Sequence, residues 1–258
     1  MCYFTKLSVD YNEYNIFKKL TRYAFMIDDR GYGQLYEPSE ALDVRTERRV
    51  QYMLDAMTDT VDKQILEIGC GDGTMSYLIA LKTKSAVLGT DLCAPFIKMA
   101  MQNHALPNLA YEVMDFNKPD KLSERKFDYI VGNGILHHLY YTIDEALRNL
   151  KKMLNGNGKI VFLEPNLLNP YCYLIFNTTQ FFRAWAKLEP AEKAFTKTFI
   201  TRRLDHAGFK NIHVEYRDFL LPITPSWLIR PSIYLGAVVE KITVLKMLAQ
   251  SLYICAEK

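Results

Sequence analysis

From Gln64 to about residue 165 the chain alternates short apolar runs with segments of helical periodicity. That rhythm limits the architecture more than any other feature. The strand-like runs are "QILEI", "AVLGTD", "LAYEVM", "FDYIVG" and "GKIVFLE". Among them lie "TMSYLIALKT", "APFIKMAMQN" and "IDEALRNLKKML", with apolar residues at the spacing of one helix face. Strands alternating with helices imply a parallel sheet covered by helices on both faces. The stretch "NGNGK" is expected to stop the last of these helices before a buried strand.

Two stretches break the rhythm. One is "PNLLNPYCYLIFNTTQFFRAWAKLEPAEKAF", after the fifth strand. The other is "LLPITPSWLIRPSIYLGAVVEKITVLKMLAQ", between an expected sixth strand, Ile212 to Arg217, and a last strand, "SLYICA". Both are aromatic, aliphatic and punctuated by proline. In an open parallel sheet, ligands sit beyond the carboxyl ends of the strands. Insertions leaving the sheet there, at about residues 165–198 and 219–250, are placed to build an apolar substrate pocket. Residues 1–60 read as an N-terminal helical cap and 61–258 as the core with these insertions. "PSEALDVRTERRVQYMLDAM" opens with Pro38 and Ser39 and places Val50, Met53, Leu54 and Met57 at helical spacing. The tyrosine-rich start is expected to fold over a ligand as a lid, with Tyr32 and Tyr36 in "DDRGYGQLY" as contacts.

Composition narrows the function. The 258 residues carry a net charge of +3. There is no run of five like charges, which argues against a nucleic-acid partner. No stretch reaches about 18 uncharged apolar residues, so no spanning helix is expected. Cys2, Cys70, Cys93, Cys172 and Cys255 are dispersed and form no C-x-x-C pair. Reduced thiols, a cytoplasmic location and no metal site are expected.

The chemistry concentrates at "ILEIGCGDGT", which follows a strand and opens a helix. Gly69, Gly71 and Gly73 let the backbone approach a nucleotide, but residue 74, where a dinucleotide loop needs its third glycine, is Thr. Glu67 precedes the loop and Asp72 lies inside it. Carboxylates repel a diphosphate and attract a ligand with an ammonium and a sulfonium. Asp91 ends the second strand, where a carboxylate can hold a ribose diol. Asp115 in "MDF" could accept from an adenine amino group, with Phe116 flanking the ring.

"LEIGCGDGT", "GTDL", "MDF" and "FDYIVGNGILHHL", in this order, resemble the class I S-adenosylmethionine-dependent methyltransferases. The resemblance is strong over roughly residues 60 to 165. It implies an α/β, Rossmann-like fold: a seven-stranded, mostly parallel sheet with an antiparallel last strand. It implies S-adenosylmethionine as cofactor. Glu67, Gly69 and Gly71 would meet its methionine end, Asp91 its ribose and Asp115 its adenine. Asn133 would lie near the methionine group, and Cys70, Leu92 and Phe116 complete the expected cofactor contacts. His138 matches a histidine of the family's fourth motif and is the candidate general base for a hydroxyl, with His137 beside it. A structural role for His138 is the alternative.

Family members that methylate base amino groups carry [DNS]-P-P-[FYW] after the fourth strand, where this chain reads "GNGI". "LEPNLLNPYCYL", "LEPAEKAF" and "LDHAGF" resemble a bacterial branch acting on small molecules, some lipidic or aromatic. The expectation is therefore O-methylation of an apolar small molecule or lipid, with N- or C-methylation as alternatives. The insertions, with Arg230, Lys241 and Lys246 among their apolar residues, also allow peripheral contact with a membrane. A nicotinamide-dependent oxidoreductase and a non-catalytic cofactor-binding subunit are the rival classes.

Overall fold

The computed structural model describes residues 38–116, 124–186, 188 and 191–258. Most of the expected N-terminal cap, with Tyr32 and Tyr36, lies outside them. Helix α1 (Glu40–Ala56) starts at Ser39, whose hydroxyl accepts from the Leu42 amide and caps the first turn. The core then follows as β1 (Val61–Ile68), α2 (Thr74–Lys82), β2 (Lys84–Asp91), α3 (Ala94–Asn103), β3 (Leu109–Val113) and β4 (Phe127–Asn133). A 3-10 turn (Leu136–Thr142) leads into α4 (Ile143–Met153) and β5 (Leu154–Pro165). Beyond these come α5 (Pro170–Asn177), α6 (Gln180–Trp185), α7 (Lys197–His206), β6 (Lys210–Arg217), α8 (Ser226–Val239) and β7 (Ser251–Glu257).

The strands form one sheet in the order β3-β2-β1-β4-β5-β7-β6. Pairing is parallel except where β7 runs antiparallel to β5 and to β6. This is the expected fold class. The "NGNG" residues start β5 instead of ending a helix: α4 stops at Met153, and the β4–β5 register shifts between Phe127 and Tyr129 to accommodate them.

Apolar runs become central strands because both faces are covered. Leu66, Ile130, Ile160 and Phe162 pack on one face with Leu147 and Leu150 of α4. Ile65, Val131, Val161 and Leu163 pack on the other with Val50 and Met53 of α1. Burying each such aliphatic side chain contributes about 1.5–3 kcal/mol.

Successive strands β1, β4 and β5 end on one edge, where β7 begins: Asn133 is paired with Leu163, and Pro165 with Ser251. Both insertions leave from that edge and are fastened at their bases. Asn166 bridges Phe195 and donates its side-chain amide to the Met247 and Ala249 carbonyls. The Gln250 amide donates to the Asp218 carbonyl. The loops between these anchors therefore stand over the carboxyl ends of the central strands.

Candidate active site

The glycine loop divides its work. Gly73 is the N-cap of α2 at φ 82, and a Cβ there would lie 2.6 Å from Ala100 Cβ and 2.7 Å from the Tyr111 hydroxyl. That glycine serves packing. Gly71, at φ 54, has nothing within 4 Å of where a Cβ would stand, so its backbone faces open space. Its amide donates to Asp91 Oδ2 at 2.9 Å, and the Cys93 amide donates to Asp91 Oδ1 at 2.9 Å. Two backbone donors thus hold the Asp91 carboxylate at the end of β2, next to the loop. Burial nevertheless raises its pKa.

Glu67 is fully buried and accepts the Ser76 hydroxyl. Burial lifts its carboxyl to about 8, opposed by Ser76 and assisted by Asp72 and Asp91. Asp72, Asp91 and the buried Glu67 carboxyl therefore surround the loop, and none of them offers positive charge to a diphosphate. Cys70 is buried, and burial first, then these carboxylates, pushes its thiol far up, so it is a packing group. Leu92 and Asp115 are half-buried at the same strand ends. Phe116 is buried in the same core cluster as Leu136 and Leu139.

Across the β4 end, Asn133 Oδ1 accepts from Arg49 Nη1 at 2.5 Å. Arg49 also donates from Nε to Asp218 Oδ2 at 3.0 Å and from Nη2 to Ser251 Oγ at 2.6 Å. Arg45, one turn earlier on α1, donates to Gln250 and lies 3.3 Å from Asp218 Oδ2. All three charges are buried. Burial would raise the Asp218 pKa, but Arg49 and Arg45 hold it below the ordinary value. Sequence reasoning missed this cluster; its only trace is a pair of arginines four apart on an otherwise apolar helix face.

The second cluster joins His137, His138, Glu164 and Glu192. Glu164, at the end of β5, accepts the amides of Ile135, Leu136 and His137. Its Oε2 lies 2.9 Å from His137 Nδ1. Glu192 reaches in from the first insertion, with Oε2 3.6 Å from His137 Nε2 and Oε1 3.4 Å from His138 Nδ1. Burial would depress His137, but the two glutamates outweigh it and hold the imidazolium up to about 9. Burial and the neighbouring His137 push His138 down to about 4, so its imidazole is neutral near pH 7. Neither glutamate was singled out by sequence. The signal for Glu164 was a carboxylate closing a wholly apolar strand.

Both clusters line a cavity of about 510 Å³ bounded by Asn133, Gly134, Leu163, Phe176, Trp185 and Ile223, among others. It opens where β4 and β5 end, a few residues along the sheet edge from the glycine loop.

Residues 66–160 match the family described as a methyltransferase domain. Over those residues the chain is similar to that methyltransferase family. An S-adenosylmethionine-dependent methyltransferase from Mesorhizobium loti shares the fold. It superposes at a TM-score of 0.61 with 19% identity, over 84% of this chain and 100% of that one. A bifunctional methyltransferase of Rickettsia prowazekii is 28% identical over 64% of this chain and 32% of its own length. A ribosomal protein L11 methyltransferase of Lactobacillus johnsonii is 31% identical over 49% of this chain and 39% of its own. The chain thus spans about a third of these curated methyltransferases.

Proposed function

We propose that the protein transfers the methyl group of S-adenosylmethionine to a hydroxyl of an apolar small molecule or lipid held beside His138. One observation carries this reading: the cavity at the sheet edge joins apolar residues, Leu163, Ile175, Phe176 and Leu188, to two polar clusters, one of which sets neutral His138 beside Glu192. Its volume falls in the range of small-molecule sites. The Lactobacillus relative is named for a ribosomal protein substrate, whereas a concave cavity of this volume suits a small acceptor.

On this reading Asp91 accepts from the ribose hydroxyls, Asp115 from the adenine, and Glu67 balances the cationic methionine end. The acceptor oxygen attacks the methyl carbon in line with sulfur. An oxygen–carbon bond forms, the carbon–sulfur bond breaks with its electron pair on sulfur, and S-adenosylhomocysteine leaves. The hydroxyl proton passes to neutral His138, and Glu192 offsets part of the cost of the positive charge that forms. Alignment of the three reacting atoms supplies most of the rate.

The insertions supporting the cavity expose Phe181, Trp185, Ile223, Trp227 and Tyr234. No described helix is long and apolar enough to cross a membrane. Together with the exposed bases Arg230 and Lys241 these residues suit shallow contact with an anionic lipid surface, from which an apolar acceptor enters. Flotation with anionic vesicles at low salt checks this: co-migration is expected, and its absence removes the membrane route.

The acceptor chemistry is tested with methyl-labelled S-adenosylmethionine and paired apolar acceptors differing only in hydroxyl or amine. Label is expected in the hydroxyl compounds. Label confined to the amines overturns O-methylation.

A further inference from the structure

We infer that His137, His138 and Glu192 form a binding site for a divalent transition-metal ion of the zinc class, open toward the acceptor cavity. One ligand atom from each lies within 4.8 Å of the others, and all three side chains are buried or half-buried. The two nitrogen–oxygen separations, 3.6 and 3.4 Å, exceed ordinary hydrogen bonds. They match instead the edge of a coordination tetrahedron, about 3.3 Å for bonds of about 2.0–2.1 Å. Each histidine faces a different oxygen of Glu192, so one ion between them can be reached by all three groups.

The surroundings are those of a ligand, not of an isolated ion pair. Glu164 sits 2.9 Å from His137 Nδ1 and is itself fixed by three backbone amides. A carboxylate on one ring nitrogen fixes the ring as in carboxylate–histidine–metal arrangements, and a bound ion displaces the proton from the other nitrogen and takes its lone pair. Here that nitrogen, Nε2, faces Glu192. Two imidazoles and one carboxylate favour zinc, iron(II) or cobalt(II) over magnesium, which prefers all-oxygen coordination. Three protein ligands leave a coordination position free, and all three residues line the cavity.

Binding stands on this donor geometry alone; the role of the ion rests on the proposed methyl transfer. The acceptor hydroxyl occupies the free position, its proton is lost to cavity water, and the metal-bound oxygen attacks the methyl carbon. With the ion bound, His138 is a ligand and the metal acidifies the hydroxyl; in the ion-free chain His138 takes the proton directly.

The full chain, stripped with a chelator and dialysed, is titrated with zinc and with cobalt(II), and S-adenosylhomocysteine affinity is measured on the same samples. One equivalent of zinc is expected, with cobalt(II) giving visible bands of four- or five-coordinate nitrogen and oxygen ligation and no thiolate charge-transfer band. His138→Ala and Glu192→Gln should weaken zinc by at least about 100-fold, and Glu164→Gln by about 10–100-fold. No cobalt spectrum in the wild-type protein, a thiolate band, or zinc binding equal in both ligand variants overturns the site. Stoichiometric zinc without S-adenosylhomocysteine binding preserves the site and overturns the methyl-transfer reading instead.

Discussion

The two halves of the active edge are built from different kinds of contact. At the glycine loop, the proposed cofactor side, the contacts are local: Gly71 holds Asp91 across 20 residues, and Ser76 holds Glu67 across 9. Around the cavity, the proposed acceptor side, the contacts join distant segments. Arg49 reaches Asp218 across 169 residues and Ser251 across 202, while Arg45 reaches Gln250 across 205. A nucleotide site shared by many chemistries can live in one strand–loop–helix unit, whereas a pocket for one acceptor is assembled where insertions meet.

If the halves are separable, changes on the acceptor side should spare cofactor binding. His138→Ala should slow turnover of a hydroxyl acceptor by roughly 10²–10⁴-fold, measured at saturating cofactor, with S-adenosylhomocysteine affinity unchanged. Equal losses in both quantities would merge the halves.

Asp218→Ala should cost about 3–5 kcal/mol in denaturant unfolding, because it leaves Arg45 and Arg49 buried without their shared carboxylate. Adding Arg49→Ala should then cost less than it does in the wild type, since the pair acts as a unit. Full additivity would show that the cluster is not the clasp between α1 and the end of β6.

On the cofactor side, Asp91→Ala should weaken S-adenosylmethionine by about 1–3 kcal/mol in calorimetry, through lost charge-assisted hydrogen bonds. Turnover at saturating cofactor should change less.

A pH slope is expected as well. Burial raises Glu67 from about 4.5 in the unfolded chain to about 8 in the folded one. The folded state therefore holds a proton that the unfolded state releases. Glu67 contributes its stability fully below the ordinary carboxylate range and loses it as pH rises toward 8. Glu67→Gln should flatten that part of the stability profile. A ligand cation that favours the ionised form should bind more tightly as pH rises, by at most about tenfold per pH unit until near 8. An unchanged stability profile in Glu67→Gln would show that this carboxyl is already ionised.

The same contrast explains what could be read in the sequence. The sheet was legible because its strands are uninterrupted apolar runs and the helices between them keep one face apolar, as Ile143, Ala146, Leu147, Leu150 and Met153 do. The turn residues Gly71 and Asp91 were legible because their spacing is local and chemically specific. Glu192 was not, because nothing in "LEPAEKAF" says that its fold-back lands on two histidines more than fifty residues earlier. Nothing local in α1 shows what Arg45 and Arg49 pair with, because their partners Asp218 and Gln250 return from the far end of the chain.

The most direct test is a crystal structure of the full chain with S-adenosylhomocysteine. The account predicts the ribose hydroxyls on Asp91 and the sulfur at the Asn133–Gly134 turn, facing the cavity that holds His138. A ligand whose sulfur points away from that cavity would contradict it.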